Sequence, residues 1–270
     1  MIKRGILDLV IASALWGTIG IATQIGYSYG ANNFQIIIFR GLSSTLLVLL
    51  FFRNLRKILN KISFIMGIVA IVFYETYVYA IGVLGASLSA VFLYTAPIFV
   101  IIASKIWLKD VVNARRIASS LLVVLGVYLI YFSKIPINDI GWGIASGFTY
   151  ALLIIYSRYM QLKGFQDREI LSSQAVWSTP FSFLFYLLSP SLALSSVWTG
   201  IYLGVVATFL AYIFFYRGMR FTDSITASVI SALEPVFTII FAAVLLRQFL
   251  TPLQLLGSAL ILLSAILVSL

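Results

Sequence analysis

Histidine and cysteine are absent from this 270-residue chain, and it carries only eight acidic residues against eighteen lysines and arginines. Those absences exclude disulfides, thiolate nucleophiles, Cys/His zinc sites, haem held by histidine and histidine proton shuttles. Charged residues make up 10% of the chain. No Pro/Ser/Gly-rich linker or low-complexity segment divides it. What is present is apolar: 62% of the residues are hydrophobic and the mean hydropathy is +1.09. A water-soluble domain has too little interior to hide that much apolar side chain, so the chain reads as a polytopic membrane protein.

A helix needs about 20 apolar residues to cross a hydrocarbon core of roughly 30 Å. About ten such segments lie almost end to end, starting near Ile6, Phe34, Ile62, Ser87, Ala114, Ile140, Ile170, Val197, Asp223 and Pro252. They are long and continuously apolar rather than alternating, which favours a helical bundle over a β-barrel. The net charge of +10 invites a nucleic-acid partner until the basic residues are placed. With a cytoplasmic N-terminus, fifteen of the eighteen fall in inside loops, among them Arg53, Arg56, Lys57, Lys61, Arg217 and Arg220. Only Lys134 and Arg247 fall outside, and Arg40 lies within a helix. That asymmetry is the positive-inside pattern. It makes the lipid bilayer, not nucleic acid, the partner, and sets both termini in the cytoplasm and the chain in the cytoplasmic membrane. The opening MIKRGILDLVIASA resembles the start of a secretory signal, but Asp8 interrupts it and the apolar pattern runs on to Ile25, as in a retained first span.

The chain also repeats itself. A shift of 138 residues lays YTAPIFVI (from Tyr94) on ALEPVFTI (from Ala232), and WLKDVV (from Trp107) on LLRQFL (from Leu245). A shift of 133 lays Ala12 and Ser13 on Ala145 and Ser146. The expected organisation is two five-helix repeats, 1–136 and 137–270, in one membrane domain. Five is odd, so the second copy is inverted, a construction found in many secondary transporters with the substrate near the midplane.

Ten apolar spans, the tandem repeat, a proline two-thirds along the fourth and ninth helices, and the ending LEPVFTIIFAAVLLRQFLTPLQLLGSALILLSAILV together resemble the drug/metabolite transporter superfamily, in particular its EamA-type ten-helix exporters. The likeness spans essentially the whole chain. It implies a ten-helix carrier that effluxes amino acids or other metabolites. The resemblance also implies an acidic residue where the ninth helix ends; Asp110 supplies it in the first half, whereas the second half reads Arg247 and Gln248.

Glu234 lies about eleven residues into its span, where an ionised side chain costs at least ~2.5 kcal/mol. It must be paired, solvated by a cavity or protonated. Pro235 follows and lacks an N–H, which leaves the carbonyl of Ser231 without its helical partner. Ser224, Ser228, Ser231, Glu234 and Thr238 share one face, either as a ligand-facing stripe or as a small-residue packing seam. Pro97 repeats the kink without the charge, and both prolines are candidate hinges. Glu75 is the second carboxylate within a span, with Tyr79 one turn further on. Arg40 is the lone base within one; it either holds a carboxylate with its planar fork or snorkels to the outer interface. Trp16, Tyr150, Gln174 (the repeat equivalent of Arg40) and Tyr212 complete the expected substrate wall. The fifth and tenth spans are nearly free of polar side chains and are expected to face lipid or a second copy in a homodimer.

The functional expectation is a secondary transporter that exports small polar metabolites, amino acids foremost, by alternating access. Two carboxylates in a membrane interior are the usual equipment for proton coupling. An uncoupled facilitator and an efflux carrier of drug-like cations fit the same residues. No P-loop is present, so neither ATP nor any other cofactor is expected. An intramembrane enzyme would want a serine with a base, paired aspartates or a metal, none of which is apparent. A scaffold would not need charges at mid-membrane.

Overall fold

The computed structural model describes residues 2–52, 55–131, 139–187, 192–246 and 250–270. Arg53, Lys134, Arg247 and Gln248, and the expected boundary between the halves, lie outside the described residues. Every regular element among those described is helical. The first long rod consists of α1 (Ile2–Trp16) and α2 (Ile19–Ser28), followed by α3 (Asn33–Phe51) and α4 (Lys61–Leu93). Next come α5 (Ala96–Ala103), prolonged by a π-helical turn at Ser104–Leu108, and α6 (Ala114–Ile130). The second half holds α7 (Ile140–Leu162) and α8 (Asp167–Tyr186), then α9 (Leu194–Tyr202), a π-helical stretch Leu203–Leu210 and α10 (Ala211–Phe221). It ends with α11 (Ser224–Ser231), α12 (Glu234–Leu246) and α13 (Pro252–Ser269).

Among the described residues, seven helical stretches are long and apolar enough to cross a membrane: Ile2–Ser28, Asn33–Phe51, Ser89–Leu108, Ile140–Leu162, Leu194–Phe221, Ser224–Leu245 and Pro252–Ser269. The early part of α4, together with α6 and α8, occupies the segments expected for the third, fifth and seventh crossings. As a straight rod, α4 would be about 50 Å long, well beyond a bilayer core. Its contacts with α7 show that the chain reverses. Tyr156 donates to the carbonyl of Ile62 at 2.9 Å, Thr76 and Thr149 share a hydrogen bond of 2.7 Å, and Tyr79 packs on Trp142. Phe92 then lies against Gly143, Thr95 against Gly147, and the Phe99 ring 5.6 Å from Phe148. The chain therefore runs along α7 one way from Ile62 to Tyr79 and back again from Phe92 to Phe99.

Short polar side chains start the helices. Asn32, Asn60, Asn113 and Asp223 each accept a backbone N–H of the first turn, and Thr251 forms a reciprocal capping box with Gln254. Each cap satisfies donors that lipid could not.

The helix pairing obeys a rule. Among the strongest contacts are α4 with α7, α6 with α13, α1 with α10, α3 with α8, α4 with α8 and α3 with α9. Exchanging the first half for the second turns the α1–α10 contact into the α7–α4 contact and the α3–α9 contact into the α8–α4 contact, and maps α3–α8 and α6–α13 onto themselves. This is the contact pattern of a pseudo-twofold axis between the halves. The α6–α13 pair is close enough that a Cβ on Gly126 would lie 2.7 Å from the Gly257 carbonyl oxygen, so both glycines are required for backbone contact. The outer faces of this pair are exposed, at Leu121 and Leu125 on α6 and Leu262, Leu263 and Ile266 on α13.

All four ion pairs among the described residues lie at the end of the bundle rich in basic loops. Arg217 donates from Nε and Nη2 to both oxygens of Asp8 at 2.7 and 2.6 Å. Arg220 joins Asp167 at 2.8 Å, Arg116 joins Asp223 at 2.9 Å, and Lys57 joins Glu169 at 3.0 Å. The opposite end is tied by neutral bonds, such as the Asn32 N–H donating to Ser196 and the Ala193 N–H to Gln35.

Candidate functional site

Four helical stretches among those described are interrupted. The break between α1 and α2 is at Gly17 and Thr18, that between α4 and α5 at Tyr94 and Thr95, that between α11 and α12 at Ala232 and Leu233, and α9 joins α10 through its π stretch. The α4–α5 and α11–α12 breaks are equivalent under the 138-residue shift, which carries Tyr94 onto Ala232 and Ala96 onto Glu234. Pro97 and Pro235 stand at the second position of the helix after each break. There a missing N–H costs nothing, because the first-turn donors have no intrahelical acceptor. The prolines thus start new helices rather than kink continuous ones, and Glu234 heads α12, where its charge meets the positive end of the helix dipole.

The breaks surround a cavity of about 60 Å³. Arg40 and Glu234 supply its charges, and Trp16, Phe73, Tyr74, Tyr77, Tyr150 and Tyr212 most of its walls. Among the described residues neither Arg40 nor Glu234 belongs to an ion pair. Arg40 donates from Nε to Thr208 Oγ1 at 2.7 Å, and its guanidinium carbon lies 4.7 Å from the centre of the Tyr74 ring. Its terminal nitrogens form no hydrogen bond among the described residues, which leaves the bidentate edge of the fork for a ligand. Glu234 accepts a 2.5 Å hydrogen bond from the hydroxyl of Tyr94, a side chain 1% exposed.

The aromatic walls are fixed from behind. The Trp16 indole donates to the Ala207 carbonyl at 2.8 Å, inside the π-helical stretch where the α-helical pattern is interrupted. Gln174 is fully buried; its amide donates to Tyr74 at 2.5 Å and its carbonyl oxygen accepts from Tyr216. Such a buried, satisfied network holds the Tyr74 ring in place under Arg40.

The structure thus brings Trp16, Arg40, Tyr150, Tyr212 and Glu234 to one cavity. Gln174 and Ser231 stand one layer behind it: Ser231 is fully buried and donates to the Ser228 carbonyl at 2.8 Å. Tyr79 and Glu75 are not in its lining. Tyr79 is half exposed with its ring 4.5 Å from Trp142. Glu75 Oε1 is buried and has no hydrogen-bond partner among the described residues. The residue that sequence reasoning missed is Tyr94. The repeat held the signal: aligning YTAP with ALEP pairs a tyrosine with an alanine and an alanine with a glutamate, two polar groups offset across equivalent breaks.

The EamA-like transporter family model matches the chain twice, over residues 3–132 and 139–270. A protein of Archaeoglobus fulgidus described as an uncharacterized transporter is 25% identical over 264 residues, covering 96% of this chain and 94% of its own length. A second Archaeoglobus fulgidus protein of the same description is 31% identical over 169 residues, covering 61% of this chain and 54% of its own. A solved crystal structure, 16% identical, superposes with a TM-score of 0.81 over 98% of this chain and 96% of that one. That likeness concerns the fold.

Proposed function

This chain belongs to the EamA-like transporter family, a multi-pass protein of the cell membrane, and from that premise we propose that it exports zwitterionic metabolites, amino acids foremost, by alternating access in exchange for protons. The observation that carries the reading is the cavity itself, where one guanidinium and one carboxylate face each other without pairing inside an aromatic wall. Each charge at mid-membrane costs a few kcal/mol if unsatisfied. An amino acid offers a carboxylate to the Arg40 fork and an ammonium to Glu234, with cation–π support from the rings. The occupied site is then neutral overall. A drug-like cation would suit the aromatic walls but would place a second positive charge beside Arg40.

The coupling follows from the shared carboxylate. Substrate ammonium and proton compete for Glu234, so loading from the cytoplasm needs the carboxylate free, and protonation from outside removes the ammonium's partner and releases the substrate. At about 60 Å³ the cavity holds a few waters and is far below the roughly 300 Å³ typical of a ligand pocket, so loading requires it to widen. The helix breaks are the natural places for that movement. The ten-span topology with both termini cytoplasmic accords with all four ion pairs lying at the basic end.

The test is flux of a labelled amino-acid panel across proteoliposomes with and without an imposed pH gradient. Saturable flux of one class, accelerated by acid on the receiving side, is expected. Glu234→Gln should remove the dependence on the gradient. Absence of flux for every amino acid, together with saturable flux of a lipophilic cation, would overturn the reading in favour of a cation exporter.

A further inference from the structure

A larger cavity, about 100 Å³, opens at the basic end of the bundle between the end of α3, the 3-10 turn Leu55–Ile58 and the first turns of α8. It shares no lining residue with the central site. Its apolar side is formed by Phe51, Phe52 and Ile58, and its polar side by Lys57, Arg168 and Glu169. The turn is held rigidly. The Trp177 indole donates to the Ile58 carbonyl at 2.9 Å, and the Ile58 side chain is 1% exposed. Buried Glu169 accepts the Gln166 N–H at 2.9 Å with one oxygen and meets Lys57 Nζ at 3.0 Å with the other. Lys57 is thereby parked at the rim with donors to spare, on a side chain 55% exposed. Arg168 is exposed and takes part in no ion pair or hydrogen bond through its guanidinium among the described residues. From Phe51 at the cavity's rim, α3 continues its outward apolar face through Leu50 and Leu46, each of the three more than half exposed.

We propose that this cavity binds the headgroup phosphate of an anionic phospholipid of the cytoplasmic leaflet, with an acyl chain lying along the outer face of α3. Basic pockets between helices at that side of a membrane suit lipid headgroups. The charges of the walls argue for a lipid over free phosphate. Lys57, Arg168 and Glu169 together carry one net positive charge, which a phosphodiester with its single negative charge balances. Inorganic phosphate carries about one and a half near neutral pH and has nothing to place against Phe51 and Leu50. The site binds independently of what the central cavity transports.

The experiment titrates phosphatidylglycerol, phosphatidylcholine and inorganic phosphate onto the purified full chain and reads bound lipid by native mass spectrometry. Phosphatidylglycerol should be retained in preference to phosphatidylcholine. Arg168→Gln, which breaks no ion pair or guanidinium hydrogen bond among the described residues, should weaken its binding roughly five-fold, the share of one basic side chain at an anionic surface. Arg115→Gln removes an exposed arginine with no ion pair at the same end and should leave binding unchanged. An equal loss in both variants would reduce the effect to general surface charge and overturn the site. So would equal retention of the two lipids, or displacement of phosphatidylglycerol by inorganic phosphate at matching concentrations.

Discussion

Glu234 is held by one neutral donor rather than by an opposite charge, and that choice keeps it exchangeable. Tyr94 can yield its place on the carboxylate to an ammonium or a proton at the cost of a single hydrogen bond, whereas an ion-pair partner would have to leave a charge behind. Tyr94→Phe should therefore lower KM for an amino acid, the substrate class proposed above, by about ten-fold for a charge-assisted bond, without raising the maximal rate; a raised KM would make Tyr94 a binding group instead. Arg40→Lys keeps the charge but loses the fork, and should raise KM roughly ten-fold in the same assay. Arg40 and Glu234 were legible in the sequence because a charge within an apolar span stands out by itself. Glu75 stood out equally, yet its helix turns it away from the cavity, and the orientation of a nearly uniformly apolar helix has no periodic pattern to betray it. Tyr94 is one of fifteen tyrosines, and only its partner 140 residues away distinguishes it.

At the scale of elements, the breaks depend on close backbone approach. A Cβ on Gly17 would lie 2.6 Å from Phe237 Cβ and 3.2 Å from the Glu234 carbonyl oxygen. Gly17→Ala should push α12 away from the first rod, cost about 1–3 kcal/mol and lower the thermal midpoint measured in detergent, with transport reduced more than the loss of fold explains. The turn before α6 holds a second test. Asp110 accepts a 3.4 Å contact from Ser224. Desolvation, and then the neighbouring Asp223, push its carboxyl above the ordinary carboxylate range, while Arg158 and Arg116 oppose them. A carboxyl that is harder to ionise when folded destabilises the protein once it is ionised, and the penalty fades as pH falls and the group protonates. Asp110→Asn should thus raise the thermal midpoint at neutral pH and lose that advantage in acid. The helical segments themselves were legible from apolar length. The unbroken run of α4 was not, since the spans expected from Ile62 and from Ser87 are separate and the reversal between Tyr79 and Phe92 is made with helical backbone.

For the whole molecule, the pseudo-twofold pairing has an energetic meaning. Were the two halves identical in sequence, a form open to one side and a form open to the other would be the same structure turned over, and neither would be preferred. Every departure from that equality resides in residues the halves do not share. The largest is the set of ion pairs confined to the basic end, which joins α1, α6, α8, α10 and the start of α11 there and has no charged counterpart at the other end among the described residues. Asp8→Asn, which frees Arg217, should shift the empty protein towards exposure of the central cavity on the basic side. A cysteine introduced at Tyr77 would report it as faster labelling by a membrane-impermeant thiol reagent applied from that side, against a background that contains no other thiol. The bundle then behaves as a balance with unequal weights: symmetry supplies the beam, and a few salt bridges on one pan decide which way an unloaded carrier rests, so its resting orientation can be retuned by substitutions that never touch the substrate.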